Sequence, residues 1–119
     1  MHGWIRISLI AQSLFLAACT EDLPSADTVA AESHVDCAAL ISAATQLAQK
    51  KKLTTDADFD RRALFSGMTH LNSHAVPAGL SEKQAFELLN ARRAELIKST
   101  APDDILARAK ACIERTPGG

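Results

Sequence analysis

Aromatic side chains are scarce in this chain, which has no tyrosine, one tryptophan and four phenylalanines in 119 residues. Trp4 and Phe15 fall in the N-terminal segment 1–18, so three phenylalanines serve the rest of the protein. Binding of sugars and single-stranded nucleic acids relies on stacking against aromatic rings. The scarcity therefore disfavours both kinds of ligand.

An excess of charge is also absent, because 13 lysines and arginines are balanced by 14 aspartates and glutamates, for a formal net charge of −1. Sequence-independent binding to nucleic acid needs a surplus of positive charge, so no nucleic-acid partner is expected. The sequence shows no glycine-rich phosphate loop, no haem-attachment motif and no persuasive pair of catalytic carboxylates. We predict a non-enzymatic protein without a cofactor.

Segment 1–18 has the pattern of an export signal. Arg6 precedes an apolar stretch from Ile7 to Ala18, and small residues end it. This stretch is too short to cross a bilayer, since a spanning helix takes roughly 20 residues. We predict a cleaved signal peptide rather than a membrane-spanning helix.

The stretch ends in Leu16-Ala17-Ala18-Cys19, which resembles the lipobox of bacterial lipoproteins. The resemblance covers these four residues and their context and does not extend to residues 36–119. It implies that the Cys19 sulfur receives a diacylglycerol, that a peptidase cuts before Cys19, and that the new amino group is often acylated too. Two or three acyl chains would make the membrane attachment effectively permanent.

This resemblance also implies a location, in the bacterial cell envelope and facing the periplasm. In enteric bacteria an aspartate after the lipidated cysteine tends to retain such proteins in the inner membrane. Thr20 occupies that position here, which by analogy favours the outer membrane.

After the proposed anchor, the residues up to Val35 are acidic, small and aperiodic, and they include no lysine or arginine. Such a stretch buries too little apolar surface to offset the entropy of ordering it. We therefore expect residues 19–35 to form the lipidated cysteine and a disordered tether, reaching roughly 20 to 25 Å from the bilayer.

From Asp36 onward the apolar residues repeat with the helical period in four segments, and no segment shows the alternation of a strand. The first helix is predicted from about Asp36 to Lys52 and the second from Thr55, its N-cap, to just before Pro77. The apolar face predicted for the second helix comprises Leu64, Phe65, Met68, Leu71 and Ala75.

Local sequence patterns predict where the third and fourth helices begin. Ser81 and Gln84 have the spacing of a capping box, and Pro102 suits the first turn of a helix. Helices of about 15 to 20 residues joined by short breaks favour antiparallel neighbours. The sequence predicts an all-α, four-helix up-down bundle over residues 36–116, followed by a flexible C-terminus at 117–119.

Once Cys19 is assigned to lipid, Cys37 and Cys112 remain as an even pair in an oxidising compartment, which is typical of a disulfide. Cys37 lies near the start of the first helix and Cys112 near the end of the last. Antiparallel first and last helices would bring these two ends together. We therefore predict that one disulfide closes the bundle.

His70 and His74 are one helical turn apart and could share a metal ion. No third ligand is marked by spacing, but His34 or a carboxylate could approach in the fold. A solvated helix flank is the alternative.

Arg93 falls between Leu89 and Ile97 on the predicted core face, so it must snorkel, form an ion pair, or anchor a partner or an anionic ligand. In the last case Arg92 or Arg61 would act with it.

These observations favour a membrane-tethered, non-enzymatic interaction or envelope-integrity module that binds an unknown envelope protein. A periplasmic carrier of a metal or small ligand is the first alternative, and an inhibitor or immunity-type lipoprotein is the second. An exposed apolar groove with charged rims would favour the interaction module. An enclosed pocket with converging polar groups would favour the carrier.

Overall fold

The computed structural model describes residues 31–118, so the predicted signal peptide, Cys19 and most of the predicted tether lie outside the described residues. Four helices make up the described part: α1 (His34–Gln49), α2 (Ala57–Ala75), α3 (Glu82–Ser99) and α4 (Pro102–Glu114). Residues 31–118 contain no strand. The predicted all-α four-helix up-down bundle is confirmed.

Helix α1 is the centre of the bundle. It packs against each of the other three helices, which contact one another far less. Its alanines allow three helices to approach closely, and burial extends around more than one face of the helix. The fully or almost fully buried residues of α1 are Cys37, Ala38, Ala39, Leu40, Ile41, Ala43, Ala44 and Leu47.

Side-chain caps fix the starts of the first three helices. Helix α1 begins two residues before the predicted boundary, because the Ser33 hydroxyl accepts a hydrogen bond from the Asp36 N–H at 3.1 Å. For α2 the predicted cap was wrong: Asp56, not Thr55, accepts from the Phe59 N–H. The capping box predicted at the start of α3 is present.

Both ends of α2 are joined to the neighbouring helices by turns that contain one left-handed residue. At the end of α1 this residue is Lys51 (φ 61°), and the Lys52 N–H donates to the Leu47 carbonyl at 2.9 Å. After α2 it is Gly79 (φ 71°). A lysine in this conformation is strained by its Cβ, whereas the glycine is not.

The buried face of α2 differs from the predicted one. Leu64 and Phe65, expected in the core, are 78% and 66% exposed. The helix instead buries a face of mixed chemistry, because polar groups on that face find partners: the Ser66 hydroxyl bonds to that of Thr116. The buried residues of α2 are Phe59, Ala63, Ser66, His70, Leu71 and Ala75.

The predicted Cys37–Cys112 disulfide is present and joins the start of α1 to the end of α4. The two Cα atoms are 5.4 Å apart, within the usual range for a bridge. Beside it, three apolar residues on the inner face of α4 are completely or almost completely buried: Ile105, Ala109 and Ile113. The predicted antiparallel arrangement of the first and last helices is thus confirmed.

No helix within residues 31–118 combines the length and apolar character needed to cross a membrane.

Candidate binding groove

A groove of about 670 Å³ opens where α2 and α3 diverge above α1. Helix α1 forms its floor over three turns, from Ala38 to Gln49, which corresponds to about 16 Å of helix. The walls that rise from this floor carry apolar side chains on both sides. These are Leu64 and Met68 from α2, and Phe86 and Leu89 from α3.

The groove is lined at its base by small residues, which keep it deep. They are Ala38 and Ala48 from α1, and Ala63 and Gly67 from α2. Gly67 stands in a helix interior, where glycine is about 1 kcal/mol less favourable than alanine. A Cβ added there would meet Ile41 at 3.6 Å, an ordinary contact distance, so packing within the chain does not require glycine. The glycine leaves room in the groove instead.

Arg93 lines the α3 wall of the groove. Its guanidinium donates to the Ser42 hydroxyl at 2.8 Å and to the Asn90 side-chain oxygen at 2.9 Å. Within residues 31–118, no carboxylate forms an ion pair with it. Arg93 is therefore held in place by neutral groups, and its positive charge remains available to a ligand in the groove.

An acidic residue lies on the opposite wall. Asp60 of α2 is exposed, lines the groove, and accepts a hydrogen bond from the Thr55 hydroxyl at 2.7 Å. The groove thus combines apolar walls and a floor of mixed polarity with one negative and one positive rim residue.

Arg92, predicted as a partner contact together with Arg93, has a different role. Its guanidinium forms ion pairs with Asp36 at the start of α1 and with Glu95 on α3. The Asp36 carboxylate raises the pKa of the Arg92 guanidinium. Because its charge is already paired within the chain and it does not line the groove, Arg92 fastens α3 to α1.

The two histidines of the predicted metal pair differ in burial, because His70 is buried and His74 is half-buried. His70 is 1% exposed, and both of its ring nitrogens are occupied: Nε2 lies 2.8 Å from the Cys112 carbonyl oxygen and Nδ1 lies 3.0 Å from Nδ1 of His34. The carbonyl can only accept, so His70 donates from Nε2, and a neutral His70 accepts from His34 at Nδ1. No group of three metal-ligating side chains occurs within residues 31–118.

Glu32, just before α1, belongs to a cluster of charged side chains that was not predicted from the sequence. The Arg108 guanidinium donates to both Glu32 carboxylate oxygens, at 2.7 and 3.1 Å, and Arg115 donates to the Glu32 main-chain oxygen at 3.0 Å. Glu32 lies in the predicted tether 19–35, so the end of that segment contacts the helical body. Its partners are 76 and 83 residues away in sequence, which is why spacing gave no signal.

Comparisons with protein-family models, with curated proteins and with solved structures give no match to this chain.

Proposed function

We propose that this protein is a lipid-tethered, non-enzymatic interaction module of the bacterial cell envelope, and that it binds a protein partner in the groove between α2 and α3. The groove is the observation that carries the proposal. It presents apolar walls, a positive Arg93 that forms no ion pair within residues 31–118, and one large apolar side chain, Leu64, that is 78% exposed. Exposed apolar surface with a charged rim is typical of protein-binding sites.

The shape of the groove favours a protein segment over a small ligand. Small-molecule sites enclose most of the surface of their ligand, whereas this groove is only partly enclosed. A helix laid into a groove between two helices is a common mode of peptide binding, with apolar anchors spaced three or four residues apart. A groove floor of three helical turns accommodates such a helix.

The membrane anchor rests on the Leu16-Ala17-Ala18-Cys19 sequence alone. Cells expressing the full chain, grown with an alkyne-tagged fatty acid, should yield a labelled protein, and Cys19→Ser should remove the label. Separation of inner from outer membranes should then place the labelled protein in the outer membrane. Labelling of the Cys19→Ser variant would contradict the assignment of Cys19.

The partner-binding function is tested by capture of the crosslinked full chain from its native envelope. Leu64→Glu places a charge in the groove at a position that is 78% exposed, so the fold should tolerate it. Ala111→Glu adds the same charge on the exposed surface of α4, away from the groove, and is the matched control. We expect the crosslinked species to disappear in Leu64→Glu only. Equal recovery from both variants would contradict a partner in the groove.

A further inference from the structure

The partner in the groove is the remaining question, and the chain itself offers a matching helix. We propose that the occupant is α2 of a second copy of this protein, so that two copies form a twofold symmetric dimer. This inference rests on the proposed function and identifies the partner that the groove accepts. Two observations support it: the acidic and apolar side chains on one face of α2, and the position of Arg93 along the length of the groove.

Helix α2 carries the residues that the groove requires of an occupant. Asp60, Leu64 and Met68 recur every four residues and therefore form one stripe along the helix. All three line the groove, and Phe65 is exposed beside them. The stripe thus presents an acidic group for an unpaired arginine and apolar side chains for apolar walls. The same helix can serve as the wall of its own groove and as the occupant of another.

The register of the proposed pairing follows from two contacts to α1. Gly67 faces Ile41, and Arg93 donates to the next residue, Ser42. Arg93 on one wall and residues 67 and 68 on the other therefore lie at the same level of the groove.

Two antiparallel α2 helices centred on Leu64 bring residue 60 of each copy opposite residue 68 of the other. Asp60 of the second copy then lies at the level of Arg93. The twofold axis repeats this arrangement, so the dimer contains two Asp60–Arg93 ion pairs.

Symmetry and tethering both favour this assembly. A twofold interface uses the same surface on both copies and closes after two, so it does not propagate into fibres. If Cys19 anchors the chain, copies are confined to one membrane surface, which raises their effective concentration for each other. The dimer would cover Leu64, a large apolar side chain of the groove that a single copy leaves exposed.

The first test places a photocrosslinking amino acid at position 64 of the full chain in its native envelope, with position 111 on α4 as the control. We expect a product that contains two copies from position 64 and none from position 111. A product that joins this chain to a different protein would overturn the dimer while supporting the proposed function. Absence of any product at position 64 would overturn both.

Charge exchange then tests the register. Asp60→Arg places like charges opposite each other, as does Arg93→Asp, and either change should reduce the two-copy product from position 64 about tenfold. The combination of both substitutions restores opposite charges and should recover the product. Thermal melting of each variant verifies the fold, and Thr55→Val shows the effect of losing the hydrogen bond to Asp60 while the Asp60 charge is kept. Failure of the double variant to recover the product, with all variants folded, would overturn the proposed pairing.

Discussion

The two sides of α1 differ sharply. On the side of α4, the helices are closed by the Cys37–Cys112 disulfide, and Ile105 and Ala109 are completely buried. On the side of α2 and α3, a groove lies between the helices, and Leu64 in its wall is exposed. We call the α4 side the sealed side and the α2–α3 side the open side. The comparison shows how a small domain can keep an apolar groove open: covalent closure and dense packing on one side make dense packing on the other unnecessary.

Loss of the disulfide should have the largest effect, because it removes the covalent closure of the sealed side. The double variant Cys37→Ala with Cys112→Ala should lower the free energy of unfolding by about 4 kcal/mol, since the bridge closes a loop of 75 residues in the unfolded chain. Urea denaturation of the wild type and the variant measures this difference. A loss of less than about 1 kcal/mol would show that packing, not the bridge, closes this side.

Truncation of one apolar side chain on each side tests the comparison directly. Ile105→Ala removes a completely buried side chain and should lower the free energy of unfolding by about 3 kcal/mol. Leu64→Ala on the open side should change it by less than about 0.5 kcal/mol in the single copy, because Leu64 is exposed. Urea denaturation in dilute detergent provides both values, and similar losses would break the distinction between the two sides.

A smaller effect of opposite sign is expected from Gly67→Ala on the open side. Alanine is favoured over glycine in a helix, and the added Cβ meets only Ile41 at an ordinary contact distance. The variant should therefore be more stable by up to about 1 kcal/mol, with the groove narrowed by a methyl group. Thermal melting measures the gain. Destabilisation would show that the glycine is required for packing and not for the space of the groove.

The smallest expected effect is a pH dependence on the sealed side. Burial lowers the pKa of the His70 imidazole below its ordinary value of 6.5, and the positive charge of Arg115 adds to this, while the Cys112 carbonyl opposes it. The unfolded chain therefore takes up a proton at higher pH than the folded chain. This contribution to stability is complete above pH 6.5 and is lost as the pH falls below it.

His70→Gln isolates that contribution, since the glutamine amide can still donate to the Cys112 carbonyl but does not titrate. Urea denaturation between pH 7 and pH 5 should show a weaker loss of stability in the variant than in the wild type. Identical pH profiles would exclude His70 as the source.

Local chemistry made much of this architecture predictable. The capping box at Ser81 and the proline at the start of α4 depend on neighbours within one helical turn, so a single sequence contains the whole signal. The pairing of Cys37 with Cys112 followed from an even thiol count and the antiparallel path of short-looped helices. The groove did not follow, because periodicity placed Leu64 in the core; its local signs were Arg93 on the predicted core face and Gly67 in a helix interior.

The sequence by itself determined four helices, most of their ends and the disulfide that joins the first to the last. Tertiary structure alone decided which face of α2 is buried, because Ser66 and His70 satisfy their polar groups against residues more than 40 positions away. It also separated two adjacent arginines, pairing Arg92 with Asp36 and leaving Arg93 in the groove. Helical periodicity ranks faces by apolar character, whereas burial depends on which neighbours the fold supplies.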